Sequence, residues 1–259
     1  MDAIVIAGGI PLPEDPLYAH TQGRSKALLD VAGKPMIEWV LDALSGSTKV
    51  ERVVIVGMTA KAPVKCSKPT YYLQSEGRIL DNIVSGAKKI AELDPQAEYA
   101  LLVSSDIPGI TTEMVDWLIA QTEETPADIY YGVVPREVME KHYPNSRRRW
   151  THLKDMAVCS ADINVAHVSL ATERLEIWQD LIGNRKSPFK QAAAIGYGAL
   201  LKLLFRQLTL EDAVAGVCSR IGVSGKAILW PWAEVGMDVD TPSQLDAVRD
   251  VLSKRESGG

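Results

Sequence analysis

The sequence predicts an α/β protein, with a mainly parallel sheet covered by helices on both faces. Three observations carry that expectation. Short apolar runs alternate with helix-like segments along the chain, the pattern of a sheet buried on two sides. Residues able to do chemistry follow several of those runs directly, and ligands on open α/β sheets bind outside the carboxyl ends of strands. The 259 residues, 46% of them apolar and 24% charged, suffice for a sizeable core without disulfide or metal staples.

Strands are expected at 3–7, 52–56, 70–73, 99–104, 128–134, 164–168 and 227–229. These are β-branched or aromatic runs of strand length, such as "RVVIV", "TYYL" and "YALLVS". Helices are expected at 35–44, 79–92, 112–122, 171–182, 189–204, 210–218 and 242–253. Pro35 suits the first turn of one helix. Thr111 or Thr112 can cap another. Thr241-Pro242-Ser243-Gln244 reads as a capping box with proline at the first helical position. The polar segment 135–161, with "NSRRRWTHLKD", breaks the alternation and is expected as an insertion beside the sheet, with a short hairpin near the mouth of the site. No repeat or low-complexity linker divides the chain, so one domain over 1–259 is expected, with a helical segment over 185–220.

Composition excludes some classes. A net charge of −5 gives no reason to expect nucleic-acid binding. The three cysteines, Cys66, Cys159 and Cys218, form no C-x-x-C pair and read as those of a reduced, cytoplasmic protein. No signal peptide and no membrane span are expected.

Four chain positions carry chemistry. Strand 3–7 ends in Gly8-Gly9, which is either a tight strand exit or a nest of backbone N–H groups for an anion. A long polar loop follows, and Arg24 and Lys26 stand at its far end. They read as surface charges or as cations reaching the same anion. Lys34, at a helix entrance where a cation does not complement the dipole, is a weaker anion-binding candidate. Asp106 directly follows the apolar run 99–104, where an unpaired buried carboxylate would be costly. Asp238 and Asp240 alternate along an expected extended stretch and so share one side. Two carboxylates there repel unless they are fully solvated or something positive sits between them, and Mg²⁺ is typically held by one or two carboxylates plus substrate phosphates. Phosphate cradle, cations and carboxylates together suit metal-assisted attack at a nucleotide phosphorus.

"IVIAGG", "RSKALLDVAGKPMIEWVLDAL", "SSDIP" and "DVDTPSQLDAV", in that order, resemble the nucleotidyltransferases of glycosyltransferase-A-like fold, specifically the molybdenum-cofactor guanylyltransferase-like NTP transferases. The resemblance implies a three-layer, Rossmann-like nucleotide-diphospho-sugar transferase fold with a mixed, mainly parallel sheet. It also implies Mg²⁺-dependent transfer of NMP from an NTP, CTP or GTP foremost, with release of pyrophosphate. Ala7, Gly8 and Gly9 would contact the nucleotide, and Arg24 and Lys26 the triphosphate. Asp106 and Asp240 would hold the metal, with Asp238 as helper; Lys26, Asp106 and Asp240 form the expected catalytic set. Gly77, Asp81 and Asn82 would contact base or ribose, unless "SEGRILDN" is an ordinary loop and helix start. The loop before Lys26 is longer than the family's R-M-G-x-x-K version, which displaces Arg24 and could let the loop close as a lid.

On the acceptor side, Arg147, Arg148 and Arg149 beside Trp150 form either a solvated basic loop or a grip on an acceptor phosphate, with Arg148 as the candidate. By the family resemblance, Asn164 would meet a small phosphorylated or acidic acceptor. The helix over 189–205 is apolar on nearly all faces, so core, a second copy of the chain or lipid are the candidates for what it meets. Two alternative readings stand beside the transferase. One is a glycosyltransferase using an NDP-sugar, and the other a non-catalytic nucleotide-binding regulator.

Overall fold

The computed structural model describes residues 1–60, 64–144, 146–173 and 207–257. In chain order it contains β1 (Asp2–Ile6), α1 (Tyr18–Thr21), β2 (Asp30–Val31), β3 (Lys34–Pro35), α2 (Met36–Gly46), β4 (Val53–Val56), β5 (Thr70–Leu73), α3 (Ile79–Leu93), β6 (Tyr99–Ser104) and α4 (Thr112–Glu124). There follow β7 (Ile129–Pro135), α5 (Arg136–His142), β8 (Thr151–His152), β9 (Ala157–Ser160), β10 (Ile163–His167), α6 (Ser169–Glu173), α7 (Leu210–Ile221), β11 (Gly225–Leu229) and α8 (Pro242–Ser257).

Nine strands make one sheet in the order β5-β4-β1-β6-β10-β7-β9-β8, with β11 paired to β7. β5, β4, β1 and β6 are mutually parallel, β10 runs against both β6 and β7, and β11 is parallel to β7. This is the expected mixed, mainly parallel sheet. Side chains alternate across it. Ala3, Val5, Ile55 and Leu101 pack into one layer with α2 and α4, and Ile4, Val54, Val56 and Ala100 into the other with α3. Ile4 and Ile55 are both fully buried, and each stabilises the fold by about 2 kcal/mol through apolar burial.

The expected strands stand within two residues of their observed ends, as do α2, α3, α4 and the start of α7. Thr111 caps α4, its hydroxyl accepting the Met114 N–H at 3.4 Å. Two expectations need correction. Segment 135–161 is not merely beside the sheet: after α5 it forms the hairpin β8–β9, and β9 extends the sheet by pairing with β7. The long loop before Lys26 is not a free lid, because Leu17 and Thr21 are buried and anchor it. The expected helices over 189–204 and most of 171–182 lie outside the described residues. So does the apolar stretch 188–206 weighed for dimer or lipid contact. No helix among the described residues is long and apolar enough to cross a membrane.

A bulge separates β9 from β10. Ala161 N–H donates to the Gly132 carbonyl at 2.9 Å, and Gly132 N–H donates to the Asn164 side-chain oxygen at 2.8 Å. The Asn164 amide thus replaces a ladder partner where the strand bends. Both ends of the amide are occupied in holding the backbone, since Nδ2 also donates to the Ala161 carbonyl at 3.4 Å, and Asn164 is not in the lining of the cavity at the Gly8-Gly9 turn. Bulges near sites commonly re-aim a neighbouring side chain, and here that side chain is Asp162.

Candidate active site

The site begins where β1 ends. Gly57, just past β4, has φ +103°, and a Cβ on it would lie 2.2 Å from the Gly8 Cα. Two strand exits therefore pack backbone on backbone, which is why bare glycines stand there. Beside them the chain returns from its long loop. Ser25 Oγ donates to the Ala7 carbonyl at 3.3 Å, and Lys26 N–H donates to the Gly9 carbonyl at 2.8 Å. Lys26 opens a short 3₁₀ turn, Lys26–Leu28, so its main chain is fixed against the glycine turn.

Asp106 leaves the end of β6. Its carboxylate accepts Ser104 Oγ at 2.5 Å, and its carbonyl accepts Val239 N–H at 3.0 Å. That second bond brings the late segment 237–240 alongside. Asp240 is then set by the start of α8: Gln244 Oε1 accepts Asp240 N–H at 3.0 Å and Thr241 Oγ1 at 2.9 Å. The two carboxylates converge on one point, where Lys26 Nζ lies 2.6 Å from Asp106 Oδ2 and 2.5 Å from Asp240 Oδ1. Burial pulls the Lys26 pKa down, but the neighbouring charges of Asp106 and Asp240 outweigh it and raise the net value.

Asp238 does not join them. It pairs with the Arg148 guanidinium, and Arg148 also stands 3.8 Å from Asp162 Oδ2 and donates to the Ser160 carbonyl at 3.4 Å. Segment 237–240 is irregular, not a strand, so alternate residues need not share a side. Arg148 is held by carboxylates and half-buried, so it does not present a free fork to an acceptor, and both expected roles are corrected. Asp162 carries no signal in "CSADINV" beyond an ordinary turn aspartate, and sequence reasoning missed it. Burial pushes its carboxyl up to about 7, with Asp106 adding repulsion and Arg148 opposing. Its Oδ2 is buried with no hydrogen-bond partner among the described residues.

Gly8, Gly9, Lys26, Asn82, Asp106 and Asp240 line a cavity of about 650 Å³, with Gly77, Ile10 and Ile79 at its outer part; Arg148, Asp162 and Asp238 are not in its lining. Asn82 is buried and organises the wall: its Oδ1 accepts Glu76 N–H at 2.7 Å and its Nδ2 reaches Ser75 Oγ at 3.4 Å. Ile10 and Ile79 are exposed. Other expected contacts lie elsewhere. Ala7 is buried and does not line the cavity. Arg24 is exposed and donates to the Thr21 carbonyl at 3.3 Å, outside the lining. Lys34 pairs with Asp42 and lies over the Trp39 ring, 3.7 Å from its centroid.

The glycine turn, Lys26 and Asp106 lie within a sequence match to a known family, and Asp240 lies beyond its end. Residues 3–180 match the MobA-like NTP transferase domain. The chain belongs to that family. A molybdenum cofactor guanylyltransferase of Shewanella frigidimarina is 26% identical over 129 residues, which are 50% of this chain and 60% of that protein. The chain spans less than two thirds of the length of that relative. A solved structure from Thermus thermophilus, described as a hypothetical transferase, is 30% identical, with TM-score 0.80, over 94% of this chain and 98% of that one. A CMP:2-keto-3-deoxy-manno-octonic acid synthetase solved with CTP shares the fold at TM-score 0.58 and 16% identity, over 98% and 99% of the two chains.

The donor set suits the divalent ion expected of a MobA-like domain. Asp106 and Asp240 aim hard oxygen ligands at one point, and Asp162 Oδ2, which Arg148 approaches to 3.8 Å, accepts no hydrogen bond among the described residues. Among the described residues no group of three or more His, Cys, Asp or Glu could hold a metal. An ion held there by two carboxylates needs water or substrate oxygens to complete its shell, which is the usual situation of Mg²⁺ with a phosphorylated substrate.

Proposed function

We propose that this chain is a Mg²⁺-dependent nucleotidyltransferase that moves NMP from an NTP to a small phosphorylated or acidic acceptor and releases pyrophosphate. The observation that carries the reading is the convergence of Lys26, Asp106 and Asp240 before the Gly8-Gly9 turn. The cavity is of the size that small-molecule ligands occupy. The exposed Ile10 and Ile79 at its outer part suit the flat apolar face of a base.

In this reading the backbone N–H groups of the glycine turn cradle the triphosphate, and Lys26 adds a point charge to it. Asp106 and Asp240 hold the ion, which when bound neutralises phosphate charge and aligns the attacking and leaving oxygens. Asn82 fixes the wall at the base or ribose. An acceptor phosphate is already ionised and needs no dedicated base, so the contribution of the chain is placement and charge. CTP or GTP is favoured as donor, by analogy with relatives alone.

The test is pyrophosphate release from each of the four NTPs against a panel of sugar phosphates, polyol phosphates and molybdopterin. At least one donor–acceptor pair should release it in a Mg²⁺-dependent way. Tight NTP binding with no turnover on any acceptor would instead identify a nucleotide-binding regulator.

A further inference from the structure

We propose that Lys26 is a built-in counter-ion of the Asp106–Asp240 pair, which makes metal binding conditional on a bound nucleoside triphosphate. The inference rests on the nucleotidyltransferase reading of this site and concerns the coupling between its two ligands.

The two carboxylate oxygens that would serve a metal are those that hold the ammonium, at 2.6 and 2.5 Å. A magnesium ion bonded to both at about 2.1 Å would overlap that nitrogen. Cation and ammonium are therefore alternatives at one place. Asp106 has no easy second mode, because its other oxygen accepts the Ser104 hydroxyl at 2.5 Å. Free metal must compete with a covalently tethered cation whose main chain is pinned by the bond from Lys26 N–H to the Gly9 carbonyl.

That tether also provides the release. Lys26 Cβ stands 4.0 Å from where a Gly9 Cβ would be, so an anion seated on the glycine turn lies within reach of the lysine side chain by rotamer change alone. A triphosphate there draws the ammonium off the carboxylates and frees both oxygens for the metal. Nucleotide and metal then favour each other by one shared coupling factor, whichever binds first. An uncharged nucleoside, which offers Lys26 nothing, does not open the pair.

Calorimetric titration with MgCl₂ alone, checked by Mn²⁺ electron paramagnetic resonance, reads the competition without turnover. Wild type should bind metal weakly, and Lys26→Met more tightly by about tenfold or more, within the usual range of coupling between sites. Lys26→Arg, which still pairs with both carboxylates, should stay weak. Lys26→Gln serves as the second variant should Lys26→Met fail to fold. On wild type, an α,β-methylene NTP analogue should raise Mn²⁺ affinity, and the matching nucleoside should not. Equal metal affinity in wild type, Lys26→Met and Lys26→Gln would overturn the proposal. So would equal metal affinity of wild type with and without the analogue; pyrophosphate release in the acceptor screen would then leave the nucleotidyltransferase reading standing. Failure of every NTP analogue to bind would overturn both.

Discussion

Replacing Asp162 by asparagine should make the protein more stable at neutral pH, although it deletes a carboxyl that Arg148 approaches to 3.8 Å. Burial, then repulsion from Asp106, raises this carboxyl from 3.8 to about 7. A carboxyl raised by folding contributes stability that is complete below its unfolded pKa, near 4, and is lost as pH climbs through the folded value. A shift of about 3 units corresponds to about 4 kcal/mol at 1.36 kcal/mol per unit. The amide of the Asp162→Asn variant stands in for the protonated carboxyl at every pH, so the variant escapes the loss. Melting in chelator from pH 4 to 8.5 reads the difference. The two proteins should agree near pH 4 and separate between pH 4 and 7. At pH 8 the variant should melt about 10 °C higher, from about 2–4 °C per kcal/mol at this chain length. A separation that does not grow with pH would refute the assignment of Asp162 as a buried carboxylate crowded by its neighbours.

Two further outcomes follow from the geometry. Gly57→Ala should destabilise the fold by about 3 kcal/mol or more, because the new Cβ meets the Gly8 backbone at 2.2 Å and the φ of +103° strains any L side chain; urea unfolding checks it, and a loss under about 1 kcal/mol would mean the two strand exits can part easily. Arg24→Ala and Lys34→Ala should leave NTP affinity unchanged by fluorescence titration, since the first is exposed beside Thr21 and the second is engaged by Asp42 and Trp39; a clear loss in either would mean that the phosphate site extends beyond the cavity.

The sheet is readable from the chain because its central strands, such as Val53–Val56, are unbroken apolar runs buried on both faces. Lys26, Asp106 and Asp240 are readable because each directly borders a strand exit or a helix start whose signal is local. What fails depends on contacts distant in sequence or on left-handed turns beside the residue. Strand alternation places Asp238 beside Asp240, but 237–240 is irregular, and Arg148 takes Asp238 instead. Arg24 is turned outward by the left-handed pair Gln22 and Gly23. Lys34 is carried onto the Trp39 face of α2 by the tight turn at Ala32-Gly33, both at positive φ. Asp162 is re-aimed by the β9–β10 bulge, where the Asn164 side chain replaces a ladder partner for Gly132.

Calorimetry of NTP binding in the presence and absence of Mg²⁺ tests the central claim, the shared ion between Asp106 and Asp240, most directly. Asp106→Asn and Asp240→Asn should each weaken Mg²⁺–NTP binding by about tenfold or more, the loss of one charge-assisted ligand of about 1.5 kcal/mol or more, with the melting transition retained. Asp238→Asn should keep the metal dependence. Unchanged Mg²⁺ dependence in both the Asp106 and Asp240 variants would contradict the account.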